Sequence, residues 1–150
     1  MKSKDCINEL KFKIPSYSVN ESTARAMVSS FCAVLNPTVE ELSDIRCAVS
    51  EAVTNCIVHA YRDIIGCITV DVRLYSDRSI KIDVRDKGCG IEDVERAVEP
   101  LYTTDPEGER SGMGFTVMEN FMDAMAVKSA VGKGTRVTMR KKLSTLPMKK

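Results

Sequence analysis

Residues Ser79–Ile91 read SIKIDVRDKGCGI. Ile80, Ile82 and Val84 alternate with Lys81, Asp83 and Arg85, the period-two pattern of a strand that buries one face and wets the other. The alternation stops at Asp86, a carboxylate on the buried parity, and Gly88 and Gly90 follow at once. A plain turn uses one glycine and has no use for a buried acid. A ligand pocket uses all three: a carboxylate at a strand end accepts from the exocyclic amine of a base, and glycines let a flat ring approach the backbone.

Upstream, Ile68, Val70, Val72 and Leu74 alternate in the same way, and Ser76-Asp77-Arg78 makes a turn, so the two strands form an antiparallel hairpin. Earlier still, Leu10, Phe12 and Ile14 of ELKFKI mark a half-buried strand that Pro15 ends. Its exposed alternation makes it a candidate edge for pairing between two copies of the chain. Two helices lie between. Ala24, Met27, Val28, Phe31 and Leu35 follow helical spacing from Asn20 until Asn36-Pro37 stops them. Thr38-Val39-Glu40-Glu41 reads as a capping box, in which the threonine hydroxyl serves an orphan amide and Glu41 reaches back. The long helix it starts buries Leu42, Ile45, Val49, Ala52, Val53 and Cys56 and ends near Tyr61.

Downstream, a short helix from Ile91 to about Val98 leads to Pro100. PLYTTDPEGERSGMG (100–114) has no periodicity and is long for a plain connection. A helix from about Phe115 to Met122 and two strands, AMAVKSAV and TRVTMRKKL, joined at Gly132-Lys133-Gly134, complete the chain. The pattern predicts an α+β two-layer sandwich: helices on one face of a mainly antiparallel, mixed sheet.

At 150 residues the chain holds one domain with a sizeable core, expected over residues 1–143, and a basic flexible tail over 144–150. Apolar residues at 43% and charged ones at 29% are ordinary for a soluble protein. No apolar run reaches a membrane span, and MKSKDCINEL has no signal-peptide stretch, so a cytoplasmic location is expected. Six cysteines at irregular spacing, without CxxC and with one histidine, argue for free thiols and against a zinc site. The last eleven residues, RKKLSTLPMKK, hold five basic and no acidic side chains; the rest carries 17 basic against 21 acidic, a balance of −4. This distribution is that of a solvated tail on a mildly acidic body, which speaks against a nucleic-acid-binding protein.

Three further features accompany Asp86. Glu51 and Asn55 are four apart on the long helix, so they stack on one face at the edge of its apolar stripe. Arg110-Ser111-Gly112-Met113-Gly114 stands directly before a helix, where backbone amides converge into an anion site and Arg110 adds a full charge. Gly132-x-Gly134-Thr135 closes the set. Each alone has an ordinary explanation, as a solvated helix flank, a turn or a hairpin. Their order along one chain is far more specific.

In that order they resemble the ATPase and kinase family shared by DNA gyrase, the ninety-kilodalton heat-shock chaperones, sensor histidine kinases and the mismatch-repair protein MutL. EAVTN (Glu51 to Asn55) is similar to the family's N-box, DKGCG to its G1 box, GMG to its G2 box and GKGT to its last element. SEAVTN, PLYTTDPEGERSGMGF, MENFMD and NESTAR further resemble the anti-sigma factor kinases of endospore-forming bacteria, over roughly Leu10 to Lys141. The resemblance implies a Bergerat-type ATP-binding fold, with ATP and Mg²⁺ as cofactors. Asp86 would accept from the adenine amine, Gly88 and Gly90 would keep space beside the ring, and Thr135 would lie near it. Asn55 would ligate Mg²⁺; Gly112 and Gly114, with Thr103, Arg110, Ser111 and Met113, would hold the nucleotide. Glu51 would be the catalytic base.

It also implies a homodimer that holds a sporulation sigma factor and, as a serine kinase, phosphorylates an anti-anti-sigma factor, with Arg25 on the surface that meets these partners. Leu101–Gly114 would be a lid. Two alternatives stay open here: the related stress-response anti-sigma kinase, and an ATP-dependent sigma clamp without physiological kinase activity. No helical hairpin with a phospho-accepting histidine is present, so a complete sensor histidine kinase is excluded. His59, on the same helix as Asn55, is assigned a structural role.

Overall fold

The computed structural model of the protein describes residues 5–97 and 114–144. Its centre is a five-stranded sheet built from β1 (Cys6–Pro15), β2 (Cys67–Tyr75), β3 (Ser79–Asp86), β4 (Ala124–Ala130) and β5 (Gly134–Lys142), in the order β1-β2-β3-β5-β4. All four pairings are antiparallel. The expected mixed sheet is therefore corrected. β4 runs in the same direction as β3 but lies outside β5, so no parallel pair forms among the described strands.

Alternation places Ile68, Val70, Val72 and Leu74 of β2, Ile80, Ile82 and Val84 of β3, and Val137 and Met139 of β5 on one buried face. Helices α1 (Asn20–Cys32), α2 (Val39–Asn55) and α4 (Gly114–Phe121) contribute the other side of the core; α3 is a short turn over Val94–Ala97. Helix α1 inserts Ala24, Val28 and Cys32, each four residues from the last, so one narrow stripe faces inward. Asn36 takes a left-handed conformation (φ 54°) and Pro37 follows, which ends the segment.

The capping box forms as the sequence indicates. The Glu41 amide donates to Thr38 Oγ1 at 3.0 Å, and the Thr38 amide donates to Glu41 Oε1 at 2.9 Å. From there α2 buries Ile45, Ala48, Val49, Ala52 and Val53 against the sheet. After Asn55 the helix widens into a π turn over Cys56–Ala60 that the sequence did not announce. Lys141, on the inner face of β5, donates to the Phe121 carbonyl at 2.8 Å and lies 3.4 Å from Asp44, which fastens the end of α4 to α2. The amide of Ser144 donates to Glu41 Oε2 at 2.7 Å, so the chain is held up to the last described residue. No described helix is long and apolar enough to cross a membrane.

Candidate active site

Asp86 ends β3 on the core side of the sheet and is 8% exposed. Three elements converge on its carboxylate. The Gly88 amide donates to Oδ1 at 2.9 Å, the Thr135 amide donates to the same oxygen at 3.2 Å, and the Cys56 thiol donates to Oδ2 at 3.4 Å. Burial pushes the Asp86 pKa above the ordinary carboxylate value, and the three donors pull against it without cancelling it. Burial likewise pushes the Cys56 thiol far up, helped by the neighbouring charge of Asp86, so Cys56 stays a protonated donor.

The loop after Asp86 is fixed from both sides. The Cys89 amide donates to the Ala60 carbonyl at 3.1 Å, and the Lys87 amide donates to the Tyr61 hydroxyl at 2.6 Å, so the π turn holds one side. On the other side the Gly132 amide donates to the Cys89 carbonyl at 2.8 Å, and the Ile91 amide to Ser129 Oγ at 2.8 Å. The Ser129 hydroxyl spends its proton on the Gly134 carbonyl at 2.9 Å. The 2.8 Å contact between Ser129 and Thr135 is therefore donated by the Thr135 hydroxyl. Gly90 sits inside this tied loop.

The glycines at 88, 90 and 134 are dictated by the chain's own packing; at Gly90 (φ +77°) a Cβ would lie 2.2 Å from the Ala130 carbonyl oxygen. A Cβ on Gly88 would lie 2.3 Å from the Ala60 carbonyl oxygen. Gly134 has φ +99°, and a Cβ there would lie 2.2 Å from the Asp86 carbonyl oxygen. Glycine at these positions brings the end of α2, the Asp86 loop and the start of β5 into direct backbone contact, which is how residues 30 and 49 positions from Asp86 reach its carboxylate.

Asn55 is the last residue of α2, half-buried, and directly precedes Cys56. The thiol contact thus carries Asn55 to the same end of the sheet as Asp86. One turn back, Glu51 faces a cavity of about 260 Å³ that it shares with Arg25, Arg46, Ser50 and Val117. Arg25 pairs with Glu21 at 3.4 Å, and the Ser50 hydroxyl donates to that glutamate, so α1 and α2 meet at this opening. The structure brings Arg25 and Glu51 around one cavity.

Thr103, Arg110, Ser111, Gly112 and Met113, and with them the expected lid as far as Gly114, lie outside the described residues; Gly114 itself begins α4. Cys56 is the site residue that sequence reasoning missed. It was assigned to the apolar stripe of the long helix, and no local pattern reports a contact with a residue 30 positions away. Ser129 and Tyr61 were likewise missed, because their role depends on which loops the fold brings together.

Residues 14–141 match the family described as the histidine kinase-like ATPase domain. The chain is 56% identical over 134 residues to an anti-sigma F factor from Caldanaerobacter subterraneus subsp. tengcongensis, covering 89% of this chain and 93% of the relative. It is 50% identical over 139 residues to an anti-sigma F factor from Clostridium acetobutylicum, covering 93% and 96%. Among solved structures it is similar to the RsbU and RsbW domains of a Mycobacterium tuberculosis protein, with a TM-score of 0.68 at 21% identity over 93% of this chain and 33% of that one. It is also similar to full-length ShkA in complex with AMPPNP, with a TM-score of 0.59 at 14% identity over 97% and 32%. These two likenesses concern the fold. The order of motifs, the sheet that carries them and the identity across nearly the whole of both relatives agree: the chain belongs to the anti-sigma F factors, within the histidine kinase-like ATPase domain family.

Proposed function

We propose that this protein is an ATP-dependent serine kinase and anti-sigma factor, which holds a sporulation sigma factor and phosphorylates a serine of an anti-anti-sigma factor in the cytoplasm. The observation that carries the reading is the convergence of α2, the Asp86 loop and β5 on one buried carboxylate. A carboxylate fixed by three donors presents its remaining lone pairs in a set direction, which suits recognition of an exocyclic amine. Thr135, opposite Asp86 in the sheet, would lie beside the same base.

The nucleotide then extends toward Asn55. A single carboxamide oxygen at the end of α2 suits Mg²⁺, which takes most of its ligands from phosphates and water. When bound, Mg²⁺ supplies neutralisation of charge on the phosphates. The serine oxygen forms a bond to the γ-phosphorus as the bond to ADP breaks, and the serine proton passes to Glu51, one turn from Asn55. A base of this kind contributes roughly 10²–10⁴-fold. Arg110, Ser111, Met113 and the glycines at 112 and 114 would hold the phosphates, with Thr103 on the same side, and Arg110 would distinguish ATP from ADP. The Glu51 cavity, with Arg25 and Arg46 at its wall, is where the acceptor serine would enter. A homodimer is part of the proposal, and the outer edge of β1, one of the two edge strands among the described residues, would be available for pairing.

The test is incubation with γ-labelled ATP, Mg²⁺ and a purified anti-anti-sigma factor. The reading expects label on one serine and none with Glu51→Gln, while that variant still binds ADP. Label transfer by Glu51→Gln at the unaltered rate would remove Glu51 as the base, and no label with the unaltered protein would remove the kinase.

A further inference from the structure

The helices cover one face of the sheet and leave the other uncovered among the described residues. Pairing registers show what that second face carries. One row across all five strands reads Lys13, Thr69, Arg85, Arg136, Lys128: four cations and no acid. The next row holds Lys11, Asp71, Asp83 and Thr138, and the third holds Glu9, Arg73, Lys81 and Arg140. The three rows together carry a surplus of five positive charges, on a chain whose entire net charge is +1.

Internal pairing does not use up that charge. Asp83 takes Arg136 at 3.1 Å and Lys81 at 3.8 Å, and Arg73 reaches Glu9 at 3.9 Å and Asp71 at 3.8 Å. Lys11, Lys13, Arg85, Lys128 and Arg140 form no ion pair with a described residue. Arg85 Nε is buried without a hydrogen-bond partner among the described residues, beside a cavity of about 240 Å³ bounded by Lys11, Arg73, Lys81, Arg85 and Arg136 and by Asp71 and Asp83. Arg85 and Arg136 stand directly opposite each other in the sheet, an arrangement of like charges that is unfavourable unless an anion lies between or above them. A buried guanidinium nitrogen without an acceptor is unfavourable for the same reason.

We propose that this face is a docking surface for an acidic polypeptide segment of a partner protein. The rows are spaced roughly 6.6–6.8 Å apart along the strands, and neighbouring cations within a row roughly 4.7–4.9 Å apart across them. Carboxylates three or four residues apart on a helix are about 5–6 Å apart, which matches the spacing within the row. A guanidinium such as that of Arg85 takes a carboxylate in paired hydrogen bonds. A second copy of the chain is a poor occupant, because it would set one basic row against another. Nucleic acid fits less well than polypeptide: the three rows contain no aromatic ring on which a base could stack, and Asp71 and Asp83 lie in the path of a continuous phosphate backbone.

The experiment uses the full chain and fluorescence anisotropy at low ionic strength, with a labelled glutamate homopolymer as probe and single-stranded and duplex DNA of matched charge as the other arms. The glutamate polymer is expected to bind more tightly than either DNA. Its affinity should fall by about tenfold or more in the triple variant Lys13→Gln/Arg85→Gln/Lys128→Gln, with ADP binding unchanged. No binding of the polymer, equal affinity in the triple variant, or preference for DNA overturns the proposal. If circular dichroism shows that the triple variant does not fold, Lys13→Gln and Lys128→Gln, both at exposed positions, are measured singly. Each is expected to weaken the polymer by about twofold or more, and no change in either contradicts the docking surface.

Discussion

Two aspartates three positions apart on β3 are driven in opposite directions. Burial raises Asp83 too, but hydrogen bonds from Arg136 and Thr138 and the charges of Arg136 and Lys81 outweigh it and leave the pKa lowered. A carboxyl whose folded pKa is depressed contributes stability that is present above its unfolded value of about 3.9 and is lost as pH falls through the folded value. Asp86 is the reverse case: its folded pKa is raised, so its ionisation opposes folding, and protonation as pH falls relieves that cost. The proposed adenine contact is strongest with the ionised acceptor. ADP affinity is therefore expected to fall on acidification at a pH above the range of an ordinary aspartate, as calorimetry across a pH series would show. The Cys56 thiol favours the charged form of Asp86, so Cys56→Ala should shift the midpoint of that loss to higher pH, and Cys56→Ser, which keeps a donor, should restore it. A midpoint indifferent to both substitutions would show that the thiol does not govern the carboxylate.

At the scale of elements, α2 is the part that links fold to site. Its start depends on the capping box, and Thr38→Ala is expected to destabilise the protein by about 1 kcal/mol, read from denaturant unfolding, with little effect on nucleotide affinity. Its end, the π turn, carries the Ala60 carbonyl against which Gly88 packs. Gly88→Ala should displace the loop from that turn and weaken ADP binding while the sheet and helices remain; unaltered ADP affinity would show that the loop has another place to go. These two ends also mark what was legible in the sequence. Thr38 and Glu41 are three residues apart, and their pattern alone gave the cap. The strands β2, β3, β4 and β5 were legible because one buried face imposes strict alternation. The π turn was not, since CIVHA differs in no periodic respect from a continuing helix, and the all-antiparallel order was not, because it depends on where α4 returns the chain. Between Ile91 and Ala97 the sequence pointed to a longer helix than the Val94–Ala97 turn found there.

In the whole molecule, the sheet separates the two proposed sites by face and by end. The core face ends, at the C-terminus of β3, in the carboxylate proposed to recognise the nucleotide, and the opposite face carries the uncompensated basic rows. Asp86, Asn55 and Glu51 were legible as candidates because their residue types and order resemble a known family. Their joining through Cys56 and Thr135 was not, because those contacts close loops of 30 and 49 residues. The central claim is that Asp86 is the acceptor for the adenine amine. Isothermal calorimetry of ADP binding to the unaltered protein and to Asp86→Asn tests it most directly, with thermal unfolding of both proteins as the control. The account predicts affinity weakened by about 1–3 kcal/mol, the cost of a buried polar mismatch, with no loss of thermal stability because Asn keeps an oxygen for Gly88 and Thr135. Equal affinity for ADP in the two proteins, both folded, would contradict it.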